Sequence, residues 1–147
     1  MKVRELMTPN AICCLPTDTA ESVAKRMLQR DVGSLPVVTD QDSRELLGII
    51  TDRDLCCSIV ALGLDPKITL IEKFVRPNPI TCREDWSLET CERAMQQHQI
   101  RRIPVVDGNR RCIGIISQAD LALKDDPDRV SNTVAEISRP APRFVAG

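Results

Sequence analysis

A chain of 147 residues, 42% hydrophobic and 28% charged, has the size and composition of one globular domain or of two small units sharing a core. A formal net charge of −1 gives no general attraction to nucleic acid or to an anionic membrane, and Phe74, Trp86 and Phe144 leave bases almost nothing to stack on. The longest apolar runs, such as Leu46–Ile50, are far too short to span a bilayer, and the first twenty residues lack the basic-then-apolar layout of a signal peptide, so a cytoplasmic address is expected. The seven cysteines form no Cys-x-x-Cys and His98 is the only histidine, which argues against a metal site; the thiols read as small core hydrophobes.

Along the chain the first stretch with clear periodicity is Ala20, Val23, Ala24, Met27 and Leu28, an i, i+3, i+4, i+7, i+8 stripe that predicts a helix with one buried face. Asp18, with Glu21 three residues on, reads as its capping box. Leu35-Pro36-Val37-Val38 reads as a buried strand with proline near its start. A polar hairpin connection over 39–45 leads into Gly48-Ile49-Ile50, a short apolar strand that runs directly into a helix closed by Gly63. The segment 64–70, with Asp65-Pro66, reads as a linker. The pattern then returns. Leu88, Cys91, Ala94 and Met95 form a second stripe, with Asp85 or Ser87 as cap. Ile103-Pro104-Val105-Val106, the turn Asp107–Arg110, and Gly114-Ile115-Ile116 follow.

The two copies align at a spacing of 68 from Pro9/Pro77 to Val38/Val106, and of 66 from Gly48/Gly114 onward. The change falls in the hairpin, where a length change costs least. The predicted organisation is repeat one over 1–63, a linker over 64–70, repeat two over 71–125 and a tail over 126–147. Within the tail, 134–140 echoes the lead-in to copy two (71–77) and reads as an apolar segment folding back, ahead of a mobile Pro/Ala end. Neither copy alone would bury much core, so two copies packed about a pseudo-twofold axis in one compact unit are expected.

Each copy closes on a hydroxyl three residues before a carboxylate: Thr51 with Asp54, and Ser117 with Asp120. That spacing places both side chains on one side of a first helical turn. Such a pair can cap the helix, and the carboxylate can also accept hydrogen bonds from the vicinal hydroxyls of a ribose.

With Met7-Thr8-Pro9-Asn10 and Val75-Arg76-Pro77-Asn78 ahead of them, the Pro-Val-Val strands and the two Gly-Ile-Ile-Thr/Ser-x-x-Asp closings resemble the CBS domain, and the tandem resembles a CBS pair, or Bateman module, over Val3 to about Leu123. The resemblance implies an α/β (α+β) fold of two β-α-β-β-α repeats. It implies two clefts between the repeats that take adenosyl ligands (AMP, ADP, ATP, NAD or S-adenosylmethionine), pairing of two chains, and a regulatory rather than catalytic role toward a protein partner that the sequence does not identify.

By that resemblance, phosphate contacts to one repeat's cleft come from residues before the Pro-Val strand of the other repeat. Cleft one is therefore expected to gather Thr51, Asp54, Arg101, Arg102 and Arg53, with Ile12 beside the adenine. Cleft two is expected to gather Ser117, Asp120, Ser34 and Ile80. Two guanidinium groups suit phosphate oxygens, so cleft one is expected to be the stronger nucleotide site. The alternative is an interaction or oligomerisation module with one or both clefts vestigial. No nucleophile–base pair stands out, so no catalytic residue, metal or cofactor is assigned beyond the adenosine nucleotide as regulatory ligand.

Overall fold

The computed structural model describes residues 1–140. It contains α1 (Val3–Leu6), β1 (Thr8–Pro9), α2 (Ala20–Arg30), β2 (Ser34–Val38), β3 (Leu46–Thr51) and α3 (Asp52–Leu55), which widens into a π-helical turn at Cys56–Val60. A 3₁₀ turn at Ile71–Phe74 leads to β4 (Arg76–Pro77), β5 (Cys82–Arg83), α4 (Leu88–His98), β6 (Arg102–Val106), β7 (Cys112–Ser117), α5 (Gln118–Lys124) and α6 (Pro127–Ser138). Among the described residues no helix is long and apolar enough to cross a membrane.

Two sheets form, ordered β1-β7-β6-β5 and β2-β3-β4. Each has one copy's hairpin at its centre and the lead-in strand of the other copy at its edge. β1 of copy one pairs with β7 of copy two, and β4 of copy two pairs with β3 of copy one. The motif glycines make this exchange possible. Gly48 lies opposite Pro77, and a Cβ there would stand 2.4 Å from Arg76 O; Gly114 lies opposite Pro9, and its Cβ would stand 2.7 Å from Thr8 O. After the exchanged strand the chain returns to its own copy, through a bridge from Cys14 to Val37 and through β5 on β6.

The pseudo-twofold axis passes between the hairpin loops. Leu46 N donates to Arg110 O at 3.0 Å and Cys112 N donates to Arg44 O at 2.9 Å, a reciprocal pair around the Glu45–Arg111 bridge. Cys13, Val38, Leu46, Val106 and Cys112 pack on the axis, and a larger core lies under the helices of each copy. The cysteine expectation holds for the five buried thiols; Cys56 and Cys57 are exposed. Gly63 ends the first closing helix with φ +66°, and His98 is exposed at the end of α4.

Two local expectations need correction. The cap of α2 is Thr19, whose Oγ1 accepts from Ser22 N at 3.2 Å; Asp18 instead accepts from Leu15 N and pairs with Arg26, each at 2.8 Å. Ser87 caps α4, as one of its two candidates. Of the α2 stripe, Ala20, Val23 and Met27 are buried but Ala24 is exposed and Leu28 is 82% exposed, because no element among the described residues covers that side of the helix. The tail folds back on the module as expected, in the form of a helix: α6 docks on α4 and α5, burying Val130, Thr133 and Ile137 against copy two. The expected mobile end falls on 141–147, outside the described residues.

Polar contacts hold α6. Arg129 meets Glu89 at 3.0 Å and Glu92 at 3.2 Å and also pairs with Asp125, and Gln96 Nε2 donates to Thr133 Oγ1 at 2.9 Å. Glu92 is 2% exposed, and burial with a hydrogen bond to Asp125 pushes its carboxyl up to about 7. Glu92 Oε1 and Asp125 Oδ2 have no donor when both groups are ionised, so a proton on Glu92 satisfies both.

Two outcomes follow from this packing. Gly48→Ala or Gly114→Ala overpacks the exchanged strands and is expected to cost about 1–3 kcal/mol, read as a lower denaturant midpoint. Because Glu92 has a higher pKa folded than unfolded, the native state binds more protons between about 4.5 and about 7. Stability contributed by Glu92 therefore falls as pH rises through that window and levels off above it. Melting temperature measured from pH 5 to 8 should show this decline, and Glu92→Gln should flatten it.

Candidate functional site

The closing motifs form where a buried strand ends and a helix starts, and in both the hydroxyl and the carboxylate make a reciprocal cap. Thr51 Oγ1 accepts from Asp54 N at 3.1 Å while Asp54 Oδ2 accepts from Thr51 N at 2.9 Å. Ser117 Oγ accepts from Asp120 N at 3.2 Å while Asp120 Oδ2 accepts from Ser117 N at 2.8 Å and from Ser117 Oγ at 2.9 Å. The capping role is thus real in both copies. It leaves one carboxylate oxygen of each aspartate for something else.

Those spare oxygens meet different surroundings. Asp120 lines a recess of about 390 Å³ with Ser117, Gln118, Arg101, Arg102, Gly33, Ser34 and Thr8, and its Oδ1 takes no donor among the described residues. Gln118 carries a buried Oε1 that also has no donor. Asp54 Oδ1, in contrast, receives a fork from Arg76, with Nε at 3.0 Å and Nη2 at 2.7 Å.

Arg101 and Arg102 therefore line the recess of Ser117 and Asp120, whereas the sequence reading grouped them with Thr51 and Asp54. The hairpin register explains the difference: β6 on β7 sets Arg102 opposite Ser117, just as β2 on β3 sets Ser34 opposite Thr51. Backbone bonds lock both arrangements, Gln118 N to Arg101 O at 2.8 Å and Asp52 N to Gly33 O at 2.9 Å. Arg102 also leans across the axis. A Cβ on Gly33 would stand 2.8 Å from Arg102 Nη2 and 3.1 Å from Asp52 Oδ2, so this guanidinium stands between the two closings.

Ser34, 5% exposed, lines the Asp120 recess as expected. Arg53 is exposed on the first turn of α3. Ile12 is not brought to Thr51 and Asp54. The exchange of lead-in strands puts Thr8 on the Asp120 side, and Ile12 packs on the core of copy one and lines a separate recess with Arg26, Arg30 and Arg44. Ile80 is half-buried and lines none of the recesses described here. Gln118 and Arg76 were missed; the 68-residue alignment signals Arg76, since it stands where copy one has Thr8.

The CBS domain family matches residues 3–60 and 71–125. The chain belongs to the CBS domain family. Uncharacterized protein YlbB of Bacillus subtilis is 34% identical to this CBS pair over 138 residues, covering 93% of the chain and 91% of the relative. Hypoxic response protein 1 of Mycobacterium tuberculosis is 32% identical over 119 residues, 81% of each. The crystal structure of that protein with two coordinated zinc ions superposes with a TM-score of 0.75 at 30% identity, covering 86% of this chain and all of that one. The CBS domain pair of protein MJ0100, in complex with 5′-methylthioadenosine and S-adenosyl-L-methionine, superposes with a TM-score of 0.72 at 28% identity, covering 84% and 94%. Among the described residues of this chain no group of three or more His, Cys, Asp or Glu side chains is placed to hold a metal ion.

Proposed function

We propose that this CBS pair is a regulatory module that binds an adenosine nucleotide in the recess closed by Ser117 and Asp120 and passes the bound state to a protein partner in the cytoplasm. The observation that carries this reading is Asp120 Oδ1, which takes no donor among the described residues, in the same recess as Arg101 and Arg102. A ribose diol can donate to the carboxylate, and two guanidinium groups suit phosphate oxygens, so AMP, ADP or ATP fits better than the cationic S-adenosylmethionine or a neutral thioether nucleoside. The adenosyl ligands of the MJ0100 pair support the nucleoside half of this reading. Transmission requires that the ligand bind two conformations with different affinity. A non-catalytic role agrees with the near end-to-end coverage of YlbB, a protein of similar extent.

We also propose that two chains pair through copy one. Ala24, Leu28, Leu55, Ile59, Val60 and Leu64 line an apolar groove of about 510 Å³, and Leu28 and Val60 are 82% and 74% exposed. Covering such a patch is favourable.

AMP at about 100 times its dissociation constant should stabilise the fold by about 2.7 kcal/mol, read as a raised melting temperature. Asp120→Ala should abolish the shift. Arg101→Ala with Arg102→Ala should weaken AMP at least tenfold while leaving adenosine unchanged, as expected for lost charge-assisted bonds. No shift with AMP, ADP, ATP or NAD at millimolar levels would overturn the sensor reading. For pairing, light scattering should give the mass of two chains for the wild type and of one for Leu28→Glu.

A further inference from the structure

Arg76 and Thr8 are equivalent residues of the two copies, each on a lead-in strand paired to the closing strand of the other copy, Arg76 opposite Ile49 and Thr8 opposite Ile115. Thr8 lines the recess in which Asp120 keeps a free oxygen. Arg76 instead sends Nε and Nη2 onto Asp54 Oδ1, while Thr51 N holds Oδ2, so both oxygens of Asp54 are taken. The Asp54 side chain is 10% exposed and that of Arg76 is 64% exposed. The guanidinium therefore lies over the carboxylate from the solvent side.

We propose that Arg76 is a built-in occupant of the Thr51/Asp54 cleft, which makes this CBS pair a one-nucleotide receptor. The proposal rests on the reading of the Ser117/Asp120 recess as a nucleotide site. A ribose diol reaching Asp54 would bring donors with no charge of their own and would first have to displace the two-pronged guanidinium contact, in which both partners are charged. The cleft is disabled by a single side chain, with its capping pair intact. Replacing that side chain by the residue its counterpart carries should open it.

Calorimetric titration with AMP tests this on the full chain, for the wild type, Arg76→Thr, Asp120→Ala and the Arg76→Thr/Asp120→Ala double variant, with thermal melting as the check on folding. The expected stoichiometries are one, two, none and one per chain. Arg76→Gln, which keeps a long polar side chain but loses the charge, guards against a folding defect peculiar to threonine and is expected to bind two. A wild type that binds two, or Arg76 variants that still bind one or bind less, would overturn the proposal while leaving the nucleotide reading in place. Absence of AMP binding in every variant would overturn the nucleotide reading, and the closed cleft with it.

Discussion

The exchange of lead-in strands is the constraint on which the rest depends. Each sheet is completed by two residues from the other repeat, and those residues can approach only because Gly48 and Gly114 have no side chain facing Arg76 O and Thr8 O. The glycine that opens each Gly-Ile-Ile motif is therefore a steric requirement of the pairing between repeats. Because β1 is carried onto the sheet of copy two, Thr8 of one repeat and Asp120 of the other share a recess. For the same reason Arg76 can reach Asp54.

Much of this was visible in the residues, and the boundary of what was visible is physical. Periodicity and caps are local properties, so the two long helices of the repeats, the closing helices, the hairpins, the hydroxyl–carboxylate caps and Gly63 as a stop could be read directly, whereas α1 and α6 were not read as helices. The hairpin register was equally local, and applying it would have set Arg102 beside Ser117 from the start. The strand exchange is not local: nothing in Thr8-Pro9 says which glycine it will face. The neighbours of Ile12 and Ile80 therefore lay beyond the sequence. The two spare carboxylate oxygens were also indistinguishable until Arg76 could be seen bonded to one of them.

Equivalent positions on the two long helices show how one repeat was given a different surface. Ala24 corresponds to Glu92 and Leu28 to Gln96 at the spacing of 68. The first pair is apolar and open; the second is polar and bonded, Glu92 to Arg129 and Gln96 to Thr133 of α6. A buried carboxyl is costly to ionise; Arg129 of α6 offsets part of that cost, while Asp125, just ahead of α6, favours the protonated form.

The placement of α6 also bears on the valency of the proposed pairing. An apolar helix face left open on each repeat would give every chain two adhesive ends, and bivalent units can link without limit when the geometry does not close. With the face of copy two covered from within, the proposed pairing has one such face per chain. Under the proposed pairing, association through the remaining face would consume both partners' sites and end there, so α6 would act as a chain terminator.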